Sequence, residues 1–260
     1  MNELVTFIAL HLDYLLLLFL RIGSLLFVSQ LFGRNNIPSV TKIGLTAMVA
    51  YITYLWAPPA VIIYQSVWGF VGMCVGEILI GVILGTVTNT IFTLTYTAGY
   101  IIDMQMGFSM VNVFDPLSNT QVPIMGNALN LLLVILFFQV NGHLRLIQML
   151  INSVVHLPVG QVHFVPQIAM FMTELFCQAI VLAISVAMPV LAASFVIEIA
   201  LGVIIRTVPQ MNMFVVGIPL KLLVSILVVV VSIPVFGRLS DDIFSIMFRY
   251  MDKFFAAMLI

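Results

Sequence analysis

The chain has 260 residues, of which 63% are hydrophobic and 7% charged, with a net charge of −1. An ordinary soluble domain is about 25% charged, and 9 basic and 10 acidic side chains cannot cover the surface of a water-soluble protein of this size. This excludes a soluble enzyme, and the near-zero charge excludes the basic face that nucleic-acid binding requires.

Met1-Asn2-Glu3-Leu4 lacks a basic n-region, and the apolar run after it is too long for a signal-peptide core. The first segment is therefore expected to be retained. A spanning helix needs about 20 apolar residues. The sequence predicts six such regions, at about 4–32, 44–63, 67–102, 123–141, 168–205 and 213–236, with a shorter apolar tail at about 243–260. Gly33-Arg34-Asn35-Asn36-Ile37-Pro38, Ala57-Pro58-Pro59, Asp115-Pro116 and Asn141-Gly142 punctuate them. With no flexible linker or low-complexity tract, one all-α domain over 1–260 is expected.

The lengths are uneven. As one straight helix, 67–102 would run about 54 Å, well beyond a hydrocarbon core of ~30 Å. The similar segment 168–205 holds Pro189, which predicts a kink or a break. Basic residues do not set an orientation, because Arg34, Lys42 and Arg206 on one side face Arg145, Arg238, Arg249 and Lys253 on the other.

Within the third region, Gly72 and Gly76 form one GxxxG pair and Gly81 and Gly85 another. Small pairs let backbones approach, so a helix gripped on two faces is expected. Thr86, Thr90, Thr93 and Thr97 then follow one helical stripe, with Asn89 at its edge. The stripe reads as a helix–helix seam or as a wetted wall. Glu77, Glu174, Glu198 and Lys221 are charges inside apolar segments, where a charge faces protein or water and finds a partner. Pairing of Glu198 with Arg206 or Lys221 is one reading, and ion or proton sites of a secondary transporter are the other. Cys74 and Cys177 read as small buried hydrophobes. His143, His156 and His163 lack metal-ligand spacing, and no nucleophile–base pair or phosphate-cradling loop is present. No catalytic residue, cofactor or metal is expected.

The stretch 103–126 is irregular, with Gly107, Pro116 and Pro123, yet rich in Met and Phe where an exposed loop should be polar. Irregular backbone at membrane depth is tolerated only in protein or beside a water-filled cavity. Met104, Met106, Phe108, Met110, Val113 and Phe114 are therefore candidates for an apolar plug or constriction, and a loop packed statically on its neighbours is the alternative.

At this loop Gln105-Met106-Gly107-Phe108-Ser109, Asp115-Pro116 and Gln121-Val122-Pro123 resemble the FliR family of flagellar biosynthetic proteins. Asn141-Gly142-His143-Leu144, the stretch from Arg34 to Gly44, and the run from Arg206 through Pro209-Gln210 to Leu220 agree in the same order. The resemblance implies a subunit of the flagellar type III export gate at the inner membrane, partly raised above the membrane plane, built of long kinked helical hairpins. A FliP-like part at about 1–165 would precede a FliQ-like hairpin and tail at about 166–260. FliP-like and FliQ-like subunits would be its partners in a helical complex, FlhB-like and FlhA-like proteins would adjoin it, and unfolded protein would be its cargo. The plug would comprise Met106, Phe108, Met110, Val113, Phe114, Asp115 and Pro116, and Arg206, Pro209 and Gln210 would mark a cytoplasmic hairpin tip. The virulence-injectisome counterpart shares this architecture.

Overall fold

The computed structural model describes residues 2–33, 37–57, 62, 64, 66–108, 123–160, 165–207 and 213–258. Among them are seven α-helices and no strand: α1 (Asn2–Val28), α2 (Ser39–Trp56), α3 (Val67–Met106), α4 (Ile124–Gln139), α5 (Gly142–His156), α6 (Gln167–Thr207) and α7 (Met213–Met258). The protein is all-α. α3, α6 and α7 are each long and apolar enough to cross a membrane, and α4 with α5 forms a further, bent pair at 66°.

The boundaries correct several expectations. α2 runs from Ser39 to Trp56 rather than over 44–63. The tail expected at 243–260 is not separate, because α7 continues through it for 46 residues. Gly237-Arg238-Leu239-Ser240 is polar but carries no proline, and Ser240 bonds back to the Gly237 carbonyl, so nothing there stops the helix. Pro189 in α6 and Pro219 and Pro234 in α7 lie inside their helices without ending them. A proline removes one hydrogen bond, and the intact turns on either side of it carry the helix on. α5 is missing from the predicted regions because it is short and amphipathic. It buries Leu146, Leu150 and Val154 and turns Arg145, Gln148 and Asn152 outward. The turn before it uses Asn141 at φ 56°, and any side chain on Gly142 would strike the Phe137 ring.

The chain divides into two compact units, residues 1–90, 137–176 and 245–260 in the first and 91–136 and 177–244 in the second. The first unit packs around Leu17, Leu18, Ile22 and Leu25 of α1, Ile80 and Leu84 of α3, and Met247, Met251 and Phe254 of α7, all buried. In the second, Ile91, Phe92 and Ala98 of α3 are buried, as are Leu133 of α4 and Ala183 and Ala187 of α6. Many apolar residues outside these cores stay exposed. Only 22% of the apolar window of α6 and 11% of that of α7 is buried within the chain, so lipid or other subunits must cover the rest.

Candidate functional site

Three polar constructions stand out in this apolar chain. The first is a buried ion pair. Arg21 of α1 and Glu77 of α3 are both fully inaccessible, and the guanidinium engages the carboxylate in fork geometry through Nε to Oε2 and Nη2 to Oε1. Arg21 Nη1 donates onward to the carbonyls of Ser153 (3.4 Å) and Leu157 (3.0 Å), which close the C-terminal end of α5. Glu77 Oε1 also accepts the Gly160 N–H at 2.8 Å. Every guanidinium nitrogen and both carboxylate oxygens thus have a partner, as a buried charge pair requires. One ion pair ties α1, α3 and the α5 terminus together.

Glycine allows that approach. A Cβ on Gly81 would overlap Ser24 Oγ and the Arg21 carbonyl, and one on Gly85 would lie 2.7 Å from Val28 Cβ. The Gly81/Gly85 pair therefore lets α3 press against the backbone of α1. The first pair behaves differently. Gly76 is buried, whereas Gly72 is exposed and a Cβ there would meet nothing within 4 Å. Within the chain it is the Gly81/Gly85 face that meets α1.

The second construction brackets the loop. Met106 ends α3 fully buried, and Gly107 follows at φ 87°. Phe108 N–H bonds to the Asp103 carbonyl and Gly107 N–H to that of Met104, the paired bonds of a Schellman cap. The Asp103 side chain, 7% exposed, accepts the Met125 N–H at 3.2 Å in the first turn of α4. Asn130 donates to the Phe92 carbonyl (3.1 Å) and to Thr95 Oγ1 (3.2 Å). Gly99 and Gly126 meet backbone to backbone with no room for a Cβ. These contacts hold α4 against the second half of α3. Replacing Asp103 with Ala is expected to cost about 1–3 kcal/mol by leaving the Met125 amide unpaired. Hydrogen exchange over 124–128 checks this, faster exchange being the expected result.

Asp103 and Met104 are thus helical, and the irregular stretch is narrower than its sequence suggests. Met110, Val113, Phe114, Asp115 and Pro116 lie outside the described residues, as do Pro209 and Gln210. Among the described residues the threonine stripe is covered unevenly. Thr90 is buried and Thr86 half-buried, bonded to its own Val82 carbonyl, while Thr93, Thr97 and Asn89 are exposed. The cysteines also differ from expectation, since Cys74 is half-buried and Cys177 exposed. No group of three or more His, Cys, Asp or Glu among the described residues could hold a metal.

The third construction is the α6–α7 hairpin. Glu198 pairs with Lys221, one of its two expected partners, while Arg206 sits exposed in the last turn of α6. In the other unit Lys253 pairs with Glu174 at 3.4 Å and lies over the Tyr250 ring. Each intramembrane carboxylate named from the sequence therefore has a basic partner.

Residues 12–247 match the profile of the family described as bacterial export proteins, family 1. The chain belongs to that family. Relatives within it carry the name flagellar biosynthetic protein FliR. The one from Bacillus subtilis (strain 168) is 32% identical over 246 residues, covering 93% of this chain and 94% of its own length. The Escherichia coli (strain K12) FliR is 30% identical over 236 residues, 88% of each chain. The Yop proteins translocation protein T of Yersinia pestis is 31% identical over 159 residues, 60% of each. FliR-type proteins are export components rather than enzymes. The features that sequence reasoning missed in this FliR-type chain are Arg21, Asp103 and Asn130. Each is a polar group set in a largely apolar run, the signal of a buried group that must have a partner.

Proposed function

We propose that this chain is a structural, pore-forming subunit of the flagellar type III protein export gate, passing unfolded flagellar subunits across the bacterial inner membrane. The observation that carries the proposal is the collinear similarity to flagellar FliR proteins over about nine-tenths of the chain. The shorter match to the Yersinia translocation protein leaves an injectisome subunit as the second reading. FliP-like and FliQ-like subunits join the chain in a hetero-oligomer, with FlhB-like and FlhA-like proteins beside it. In this reading residues 1–165 act as the FliP-like part and 166–260 as the FliQ-like hairpin, whose tip around Arg206, Pro209 and Gln210 faces the cytoplasmic entrance.

Helix length supports an assembly over a conventional polytopic protein. α3, α6 and α7 hold 40, 41 and 46 residues, or about 60–70 Å each. A bilayer covers ~30 Å of that, so the remainder of each exposed apolar face belongs against other subunits, partly above the membrane plane. The ion pairs of Glu77, Glu174 and Glu198 also favour interhelical structure over ion-coupling sites.

Met106 and Phe108 lead into the proposed plug, which continues through Met110, Val113, Phe114, Asp115 and Pro116. Deleting 108–121 in the assembled complex is expected to raise resting ion conductance severalfold while leaving subunit composition unchanged. An assembled deletion complex that conducts no more than the intact one would reject the plug.

A further inference from the structure

The chain has two tryptophans, Trp56 and Trp68. They occupy the last residue of α2 and the second of α3, and are 71% and 83% exposed. Two indoles this open, beside further exposed apolar side chains of α2 and α3, form a patch of the kind that meets lipid or a partner.

Ring contacts bring them to one level. Tyr54, two residues before Trp56, lies 6.2 Å between centroids from Tyr14 of α1. Asp13, the neighbour of Tyr14, accepts a 3.0 Å hydrogen bond from the Tyr64 hydroxyl. The Tyr64 ring in turn lies 5.2 Å from that of Phe70, two residues after Trp68. The Asp13–Tyr14 step of α1 therefore holds the end of α2 and the start of α3 together. Tyr64 lies outside the spanning segments, and the Asp13 hydrogen bond, followed by the charge of that carboxylate, raises its phenol above the ordinary tyrosine range.

On the helical side of this level the surface turns apolar. α2 exposes Leu55, Ile52 and Met48, and α3 exposes Val71, Val75 and Leu79. α2 and the 67–90 part of α3 hold one charged residue each, Lys42 and Glu77, and both are buried. Lys42 Nζ is occupied by the Gly33 carbonyl at 2.9 Å, and Glu77 by Arg21. The exposed face thus runs from rings with polar edges, beside the half-buried Asp13 carboxylate, to uncharged hydrocarbon.

From this gradient we infer that the aromatic corner of α1, α2 and α3 sits at a membrane–water boundary, with Trp56 and Trp68 at the lipid headgroup level. An indole places its apolar body in the acyl region and its N–H among carbonyls and water, which is why tryptophan and tyrosine gather at that depth. α3 enters the hydrocarbon at Trp68, and Val71, Val75 and Leu79 face acyl chains. The occupant of this face is lipid, not a further protein subunit.

Tryptophan emission tests the assignment. The full chain, with whatever subunits copurify, is placed in nanodiscs of phosphatidylcholine brominated either near the headgroup end or near the methyl end of the acyl chain. Subtracting the emission of the W56F/W68F chain isolates the two indoles, and the exposed rings can be exchanged for phenylalanine without disturbing the core. Shallow bromines are expected to quench this difference emission about twofold or more over deep ones. Three results would each overturn the assignment: no quenching by either lipid, stronger quenching by the deep bromines, or quenching by aqueous acrylamide alone.

Discussion

Glu77→Leu is expected to lower the stability of the chain by about 3–5 kcal/mol, because it strands the Arg21 guanidinium in a site with no access to water. Two helix-end carbonyls remain to Arg21, at 3.0 and 3.4 Å, and they do not neutralise its charge. Arg21→Met alone should cost a similar amount by stranding the carboxylate. The double variant Arg21→Met/Glu77→Leu is expected to recover most of the loss, since removing both charges removes the desolvation cost as well. It should stop short of the parent by about 1–3 kcal/mol, because the Leu157 carbonyl and the Gly160 amide lose the partners seen here. Unfolding of the purified chain in mild detergent provides the four corners of the cycle. Additive losses in the double variant would show that the two charges do not act as a pair.

Gly81→Leu should be at least as damaging, at about 3 kcal/mol or more, and should abolish folded chain where the margin is small. The added Cβ would coincide with Ser24 Oγ and the Arg21 carbonyl, and one of the two obstacles is backbone that no rotamer change can move. Separating α1 from α3 also pulls Arg21 from Glu77, so the packing and charge losses reinforce each other. Gly72→Leu is the matched control. Its Cβ meets nothing within 4 Å, so the chain alone should fold normally. Loss of complex yield with Gly72→Leu, and normal stability of the isolated chain, would assign Gly72 to a contact with another subunit. Normal folding of Gly81→Leu would contradict the close approach of α1 and α3.

Much of the fold was legible because long apolar runs leave few alternatives to helix. What misled was local punctuation. Pro189 read as a kink or a break and the stretch after 236 as the end of a span, and the helices continue through both. A proline costs one hydrogen bond wherever it stands, and in an apolar setting the alternative, an uncoiled backbone with several unpaired groups, costs more. α5 escaped because a search for spans is blind to a short amphipathic helix. Glu198–Lys221 was legible because the two residues lie at similar distances from the helix ends Thr207 and Met213, which a hairpin brings level. Arg21–Glu77 was not, because the partners are 56 residues apart and Arg21 reads as an interruption of its apolar run. Spacing also left open where α3 meets α4. Thr86, Thr90, Thr93 and Thr97 share a stripe, but the contacts that join α3 to α4 use Thr95, Gly99 and Asp103 on neighbouring positions. Periodicity tells which residues share a face, and only packing tells which face is covered.

Membership in a hetero-oligomeric export gate shows in the mass and composition of what this chain assembles with. The chain carries a tag, FliP-like and FliQ-like proteins are co-expressed with it, and the complex is purified in mild detergent for native mass measurement. One defined hetero-oligomer containing all three proteins is the expected result. A lone chain, or a symmetric homo-oligomer that moves a solute across vesicles, would contradict it.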